Sequence, residues 1–423
     1  MEFMDIVVFP GRSWTLIVTP LYNSFAVGTQ LVMLFIGQFF TTWKLIALSL
    51  PLGVLSCSGI VLSLYKSLIP GYARFFLGIV GCSGFAISAS GMLQSSVGEF
   101  CAKLMVHHGP LPAHYSNGLA AAGVISFIVA NAVSALGGQD LAAKVLFILS
   151  AFALLCCLLA LVDLVRTGTV CFAYPSNPLG EAANVQEPRT VTDHAEIIMD
   201  ITHLAAGSPV SNGASSQALI SSHSPAPAVR SLWSKRSLGS SASRESFGRV
   251  SNSVKRAWQQ EANLIWIYTQ TLFVFPAVCL KWAPPDGMTT QATYGLIMVS
   301  IYQVFDLVGR LLCTFPAIVR HCVRSEKLWV LLLLRTLLLP FFFFCWITPN
   351  SFFGSFMFQA VLVTILALSN GSLTNLAFTA GSSDAPDEDR DIVGRALPLC
   401  VGIGIVIGSI AGSICIPFLA QLV

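Results

Sequence analysis

Apolar residues gather into long runs along this chain, separated by short polar breaks. Ten runs approach the roughly 20 residues that a helix needs to cross a bilayer core of about 30 Å. They cover 21–40, 43–65, 72–97, 116–136, 141–165, 264–280, 293–318, 328–346, 352–376 and 395–422. Lipid offers the backbone no hydrogen-bond partner, so segments this apolar are predicted to be helices. The shortest link falls between 40 and 43.

The stretch 166–260 differs in kind. It is rich in Ser, Ala, Pro and Asn, with basic pairs at Lys235–Arg236 and Lys255–Arg256. Such a composition cannot bury a core and reads as a disordered linker. Ser237, Ser243 and Ser246 lie beside basic residues and are candidate sites for a kinase; a plain solvated tether is the competing reading. The organisation expected is an N-terminal segment 1–20, a five-helix bundle 21–165, the linker 166–260 and a second five-helix bundle 261–423.

Composition supports the membrane reading. Of 423 residues, 55% are hydrophobic and 10% charged, against about 25% charged in soluble domains. A soluble enzyme is excluded on that ground. The net charge of +3 comes without a basic block, so no nucleic-acid partner is expected. The 12 cysteines form no C-x-x-C pair. His107, His108 and His114 cluster near Glu99 and Cys101, but no convergent ligand set is evident, and no metal is expected.

Lys and Arg set the expected orientation. The linker holds nine of them, and Arg320, Arg324 and Lys327 precede residue 328. Placing both loops in the cytoplasm puts both termini outside. The start of the chain, with Glu2, Asp5 and Pro10, does not resemble a secretory signal.

Polar groups inside apolar helices carry the functional information, because a buried charge costs about 2.5–3.5 kcal/mol or more at mid-bilayer. Asp306 and Arg310 are four residues apart and share a helix face, with Gly309 beside them. An internal ion pair that locks helices and a solvated substrate cavity are compatible readings. Arg335, Gln94, Gln303, Ser369 and Asn370 are further intramembrane polar groups; Gln both donates and accepts, which suits a heterocyclic base. Pro276 and Pro340 should bend their helices. Gly404, Gly408 and Gly412 form a double G-x-x-x-G for close helix packing. The acidic run 384–391 reads as a solvated loop.

These residues resemble a known family. Phe305-Asp306-Leu307-Val308-Gly309-Arg310 looks like the eighth-helix signature of the equilibrative nucleoside transporters. Leu334-Arg335 with Pro340 resembles the ninth helix, and Leu368-Ser369-Asn370-Gly371 the tenth. Gln94-Ser95-Ser96 is similar to the Gln-Gly-Ser of the fourth, with Ser95 departing from the pattern, and Phe275-Pro276 to the seventh. Gln303 stands where animal members often have Asn. The stretch 21–29 looks most like plant or protist members. The family has eleven helices; its first, with a Pro-Trp-Asn signature, has no counterpart here, and residues 1–20 resemble the loop that follows it.

The resemblance implies an all-α polytopic membrane protein of the major-facilitator-like two-bundle type, here with ten predicted helices. It implies transport of a nucleoside or nucleobase by alternating access, facilitative or proton-coupled, without a bound cofactor. Asp306 and Arg310 would hold ribose and base polar atoms, Gln94 would read the base edge and Gln303 would line the site. Arg335, Asn370, Ser369 and Gly309 would support the geometry, and Asp306 is the candidate proton carrier. A plasma-membrane location is favoured over an internal one. The competing readings are a transporter of another solute, such as an organic cation, and an inactive truncated or regulatory form. A cation site would want a second intramembrane carboxylate, and Asp163 is the available candidate.

Overall fold

Helical structure coincides with each of the ten predicted runs. The computed structural model describes residues 14–65, 68–108, 111–166, 240–284, 290–315 and 327–420. The N-terminal 1–13, the linker through 239 with Ser237, and Arg320 and Arg324 lie outside the described residues.

The first half comprises α1 (Trp14–Ile36), α2 (Thr42–Leu64), α3 (Gly71–Phe85) and α4 (Gln94–His108). A π-helical stretch, Ala86–Leu93, joins α3 to α4 without interrupting the rod. The next two spans are α5 (Leu111–Gly138) and α6 (Asp140–Asp163). They separate at Gly138, whose φ of 79° is the left-handed region that only glycine enters without strain. The second half comprises α7 (Ser240–Val274), α8 (Gln291–Leu312), α9 (Leu328–Thr336), α10 (Leu339–Ile347), α11 (Phe356–Asp384) and α12 (Arg390–Ala420). Eight helical spans among the described residues are long and apolar enough to cross a membrane, and the chain is a multi-pass integral membrane protein.

The two prolines act where expected. Pro lacks the N–H that a helix interior requires. Helix α7 ends at Val274, ahead of Phe275 and Pro276, and the span 328–347 breaks into α9 and α10 ahead of Pro340.

The start of the second half departs from the sequence reading. Helix α7 begins at Ser240, twenty residues before 260, so Ser243 and Ser246 fall on a helix. Composition averaged over the whole stretch hides a local period: Val250, Ser253 and Ala257 share one face and are buried. That face continues into Leu264, and Val250 packs with Leu34 of α1 and Ile392, Ala396 and Leu399 of α12. The acidic run is not merely solvated either. Arg249 Nη2 lies 3.1 Å from Asp391 Oδ1, Arg256 Nη1 3.0 Å from Asp389 Oδ2, and Arg390 Nη1 2.6 Å from Asp387 Oδ1. Basic residues of the stretch read as linker thus neutralise the turn between α11 and α12.

Helices α7 and α12 approach closely because the glycine stripe of α12 leaves room for carbonyl groups. A methyl group on Gly404 would stand 2.6 Å from the Ile265 carbonyl oxygen, and one on Gly408 2.5 Å from that of Thr269. Association in lipid depends on such packing rather than on the hydrophobic effect. Gly408→Leu should therefore destabilise the protein by about 1–3 kcal/mol, read as a lower melting temperature in detergent. Gly28→Leu on α1, where nothing lies within 4 Å, should leave that temperature unchanged. Equal effects from the two would refute the close-packing account.

Candidate functional site

Four helices of the second half converge on one carboxylate. Helix α8 carries Asp306, Gly309 and Arg310; α11 carries Ser369, Asn370 and Asn375; α9 carries Arg335; α7 carries Tyr268 and Thr271. Helices α8 and α11 meet backbone to backbone, with Gly309 against the Leu368 carbonyl and Gly371 against that of Asp306. That approach lets the short side chain of Asn370 reach across.

Asp306 Oδ2 accepts from Arg310 Nε at 3.0 Å, and Oδ1 accepts from Asn370 Nδ2 at 2.7 Å. Asn370 Oδ1 in turn accepts from Thr271 Oγ1 at 2.7 Å and from Arg335 Nη2 at 3.4 Å. Arg335 also donates to Thr271 Oγ1 at 2.7 Å and to the Ile267 carbonyl at 3.2 Å. Asp306, Arg310, Arg335 and Asn370 are all buried. Two guanidinium groups therefore share one carboxylate, Arg310 directly and Arg335 through Asn370.

Arg310 reaches into the first half as well. Its Nη1 donates to Ser116 Oγ at 2.8 Å and to the Ser116 carbonyl at 3.1 Å, both on α5, and its Nη2 donates to Tyr268 at 3.2 Å. Four of its five N–H groups are spent on these bonds and on Asp306. Asn375 accompanies it, donating to the Arg310 carbonyl at 2.8 Å and to Asn117 Oδ1 at 3.2 Å.

The other predicted residues lie elsewhere. Gln303, one turn before Asp306, faces α5, its Oε1 3.1 Å from where a methyl group on Gly123 would stand. Ser369 donates to the Leu366 carbonyl of its own helix at 2.8 Å and does not touch Asp306. Gln94 sits in the first half among Gln30, Ser90 and Tyr115. Its carbonyl accepts from Tyr115, the neighbour of Ser116.

Glu99 has a partner the sequence does not show. It lies 3.3 Å from Arg395 Nε, and both side chains are almost fully buried. Arg395 also pairs with Asp391 at 3.0 Å and donates to the Met33 carbonyl at 3.4 Å. Glu99 accepts from Thr42 at 2.7 Å and from Lys103 at 2.5 Å. Its two cationic partners are Lys103 and Arg395.

A sequence profile described as "Nucleoside transporter" matches residues 85–415, which takes in α4, the whole Asp306 cluster and Arg395. The chain belongs to the nucleoside transporter family. Among curated relatives, it is 30% identical to equilibrative nucleotide transporter 6 of Arabidopsis thaliana over 147 residues, 34% of this chain and 33% of that protein. It is 26% identical to equilibrative nucleoside transporter 3 of Rattus norvegicus over 155 residues, 34% of this chain and 32% of that one. The matched region spans about a third of the length of these relatives. The crystal structure of a bacterial homologue of the iron transporter ferroportin superposes with a TM-score of 0.54 at 13% identity, covering 97% of this chain and 86% of that one. The family is one of transporters, and the helical fold is that of this solved structure.

The pairing makes a prediction for this family member. Asp306→Asn leaves Arg310 buried without its counter-charge, and Arg310→Gln leaves Asp306 with only Asn370. Each should destabilise the protein by about 3–5 kcal/mol. Asp306→Asn combined with Arg310→Gln removes both charges and should recover much of the loss, measured as detergent melting temperatures across the cycle. Strictly additive losses would show that the two charges do not depend on each other.

Proposed function

We propose that this protein carries a nucleoside or nucleobase across the membrane by alternating access between its two halves. The observation that carries the reading is the buried Asp306, held by Arg310 and Asn370 inside a membrane helix. A packing helix has little reason to bear a buried carboxylate. Each Asp306 oxygen has capacity for one more hydrogen bond, which matches the hydroxyl donors of a ribose. Arg310 has one N–H left for a base or ribose oxygen. Gln94 and Gln303 are the further contacts we assign, with Arg335, Asn370 and Gly309 holding the geometry.

An organic cation is a poorer fit. The cluster brings two guanidinium groups to one carboxylate, and Asp163 lies exposed at the end of α6. A cationic solute would meet surplus positive charge.

In the cycle we envisage, the contacts Ser116–Arg310, Asn117–Asn375 and Glu99–Arg395 join the halves near the ends that lead into the linker. Opening that side separates them. We place the linker in the cytoplasm and both termini outside, following its basic residues, and assign the protein to the plasma membrane. In a proton-coupled cycle Asp306 is the carrier, and a kinase acting on the serines before or within the first turns of α7 would act beside the Arg249 and Arg256 contacts.

The test is uptake of labelled uridine and adenosine by proteoliposomes holding the purified chain. Saturable uptake is expected, and the Asp306→Asn/Arg310→Gln double variant, folded by its melting temperature, should lose it. Full uptake by that folded variant would refute the role of the pair, and absence of uptake by the parent chain would refute the substrate class.

A further inference from the structure

A second polar group, in the first half, is built around Gln30 of α1. Gln30 is 2% exposed. Its Nε2 donates to the Ser90 carbonyl at 2.7 Å and to Gln94 Oε1 at 3.3 Å. Tyr22, two turns earlier on α1, is bonded to the Ser90 hydroxyl. Ser90 lies in the π-helical stretch, and such stretches recur at functional sites.

The chemistry of this arrangement fixes two amide orientations that a glutamine would otherwise leave open. A backbone carbonyl only accepts, so the Gln30 nitrogen must face Ser90. That same nitrogen then faces Gln94, so Gln94 must turn its oxygen towards Gln30. The Nε2 of Gln94 consequently points away, with both hydrogens unspent among the described residues, on a side chain that is only partly buried. The Gln30 Oε1 is buried without a hydrogen-bond partner and lies 2.8 Å from where a methyl group on Gly402 of α12 would stand.

We infer that Gln30 is a positioning residue that makes Gln94 a hydrogen-bond donor to the base, so that the protein favours oxo-bases over their amino counterparts. The inference rests on the nucleoside reading and deepens it. A carbonyl oxygen on the base meets the Gln94 amide donor to acceptor. An exocyclic amino group in the same place meets it donor to donor, and one buried group goes unpaired.

The experiment compares inosine with adenosine, which differ at that exocyclic position, as competitors of labelled uridine uptake in proteoliposomes. The parent chain should be inhibited by inosine at about tenfold lower concentration than by adenosine, the factor that one unpaired buried donor typically imposes. Gln30→Leu frees the Gln94 amide to present either end, and the preference should fall to near unity while the maximal rate changes less. Gln94→Glu offers acceptors only and should reverse the preference. Gln30→Glu, ionised, can only accept, so it should draw the Gln94 nitrogen towards itself and reverse the preference, whereas a protonated Glu at low pH donates again and should restore the preference in part. A folded Gln30→Leu protein that keeps the parent preference overturns the role of Gln30. A parent chain with equal affinity for the two competitors overturns it as well. A parent chain that takes up no uridine overturns the nucleoside reading itself, and the inference with it.

Discussion

Four helices of the second half are joined around the cost of one buried carboxylate, Asp306. Asp306 is taken out of water within a membrane helix, and an ion so placed persists only when its hydrogen-bonding capacity is met. Arg310 meets it from the same helix and Asn370 from the next one over. That requirement reaches further outward: Asn370 must be oriented by Thr271, and Arg335 closes the circuit back onto α7. The close approach at Gly309 and Gly371 is what makes a side chain as short as Asn370 long enough. Helix packing and polar chemistry are therefore one problem here, solved at a single crossing of α8 and α11.

The same residues also join the two halves. Arg310 satisfies Asp306 with one N–H and spends its Nη1 on Ser116 across the divide. Any movement that separates α5 from α8 therefore alters what surrounds the carboxylate. The Glu99–Arg395 pair is a second link of this type, and it is harder to break than the exposed pairs of Arg249 and Arg256, because a buried ion left unpartnered is expensive while surface pairs contribute about 0–1 kcal/mol. Local chemistry at the site and the contact between halves are thereby coupled through named bonds rather than through general rigidity.

Much of this was legible in the chain. The ten apolar runs, the break at Pro340 and the close-packed glycines of α12 follow from length, period and residue size. The Asp306–Arg310 pair follows from a four-residue spacing. What escaped is contact between residues far apart in sequence: Thr271 with Asn370, Ser116 with Arg310, Gln30 with Gln94. Ser, Thr and Gln are common enough in membrane helices that a single sequence gives no reason to single these out. Ser369 shows the converse, a polar residue beside the site that bonds its own helix. The first turns of α7 were hidden because their buried face, at Val250, Ser253 and Ala257, is short and lies at the end of a long polar stretch. The acidic turn before α12 read as solvated because two of its basic partners, Arg249 and Arg256, lie more than a hundred residues away.

The central claim is that substrate sits beside Asp306 between the halves. Its most direct measurement is protection of a cysteine placed at Gln303, one turn from Asp306 on α8 and facing α5. The rate of modification by a small thiol reagent would be followed in proteoliposomes, with the parent chain supplying the background from native cysteines. The account predicts that saturating uridine slows modification at 303 and that the folded Asp306→Asn/Arg310→Gln protein loses this protection. Modification at an unchanged rate under uridine concentrations that saturate uptake would contradict it.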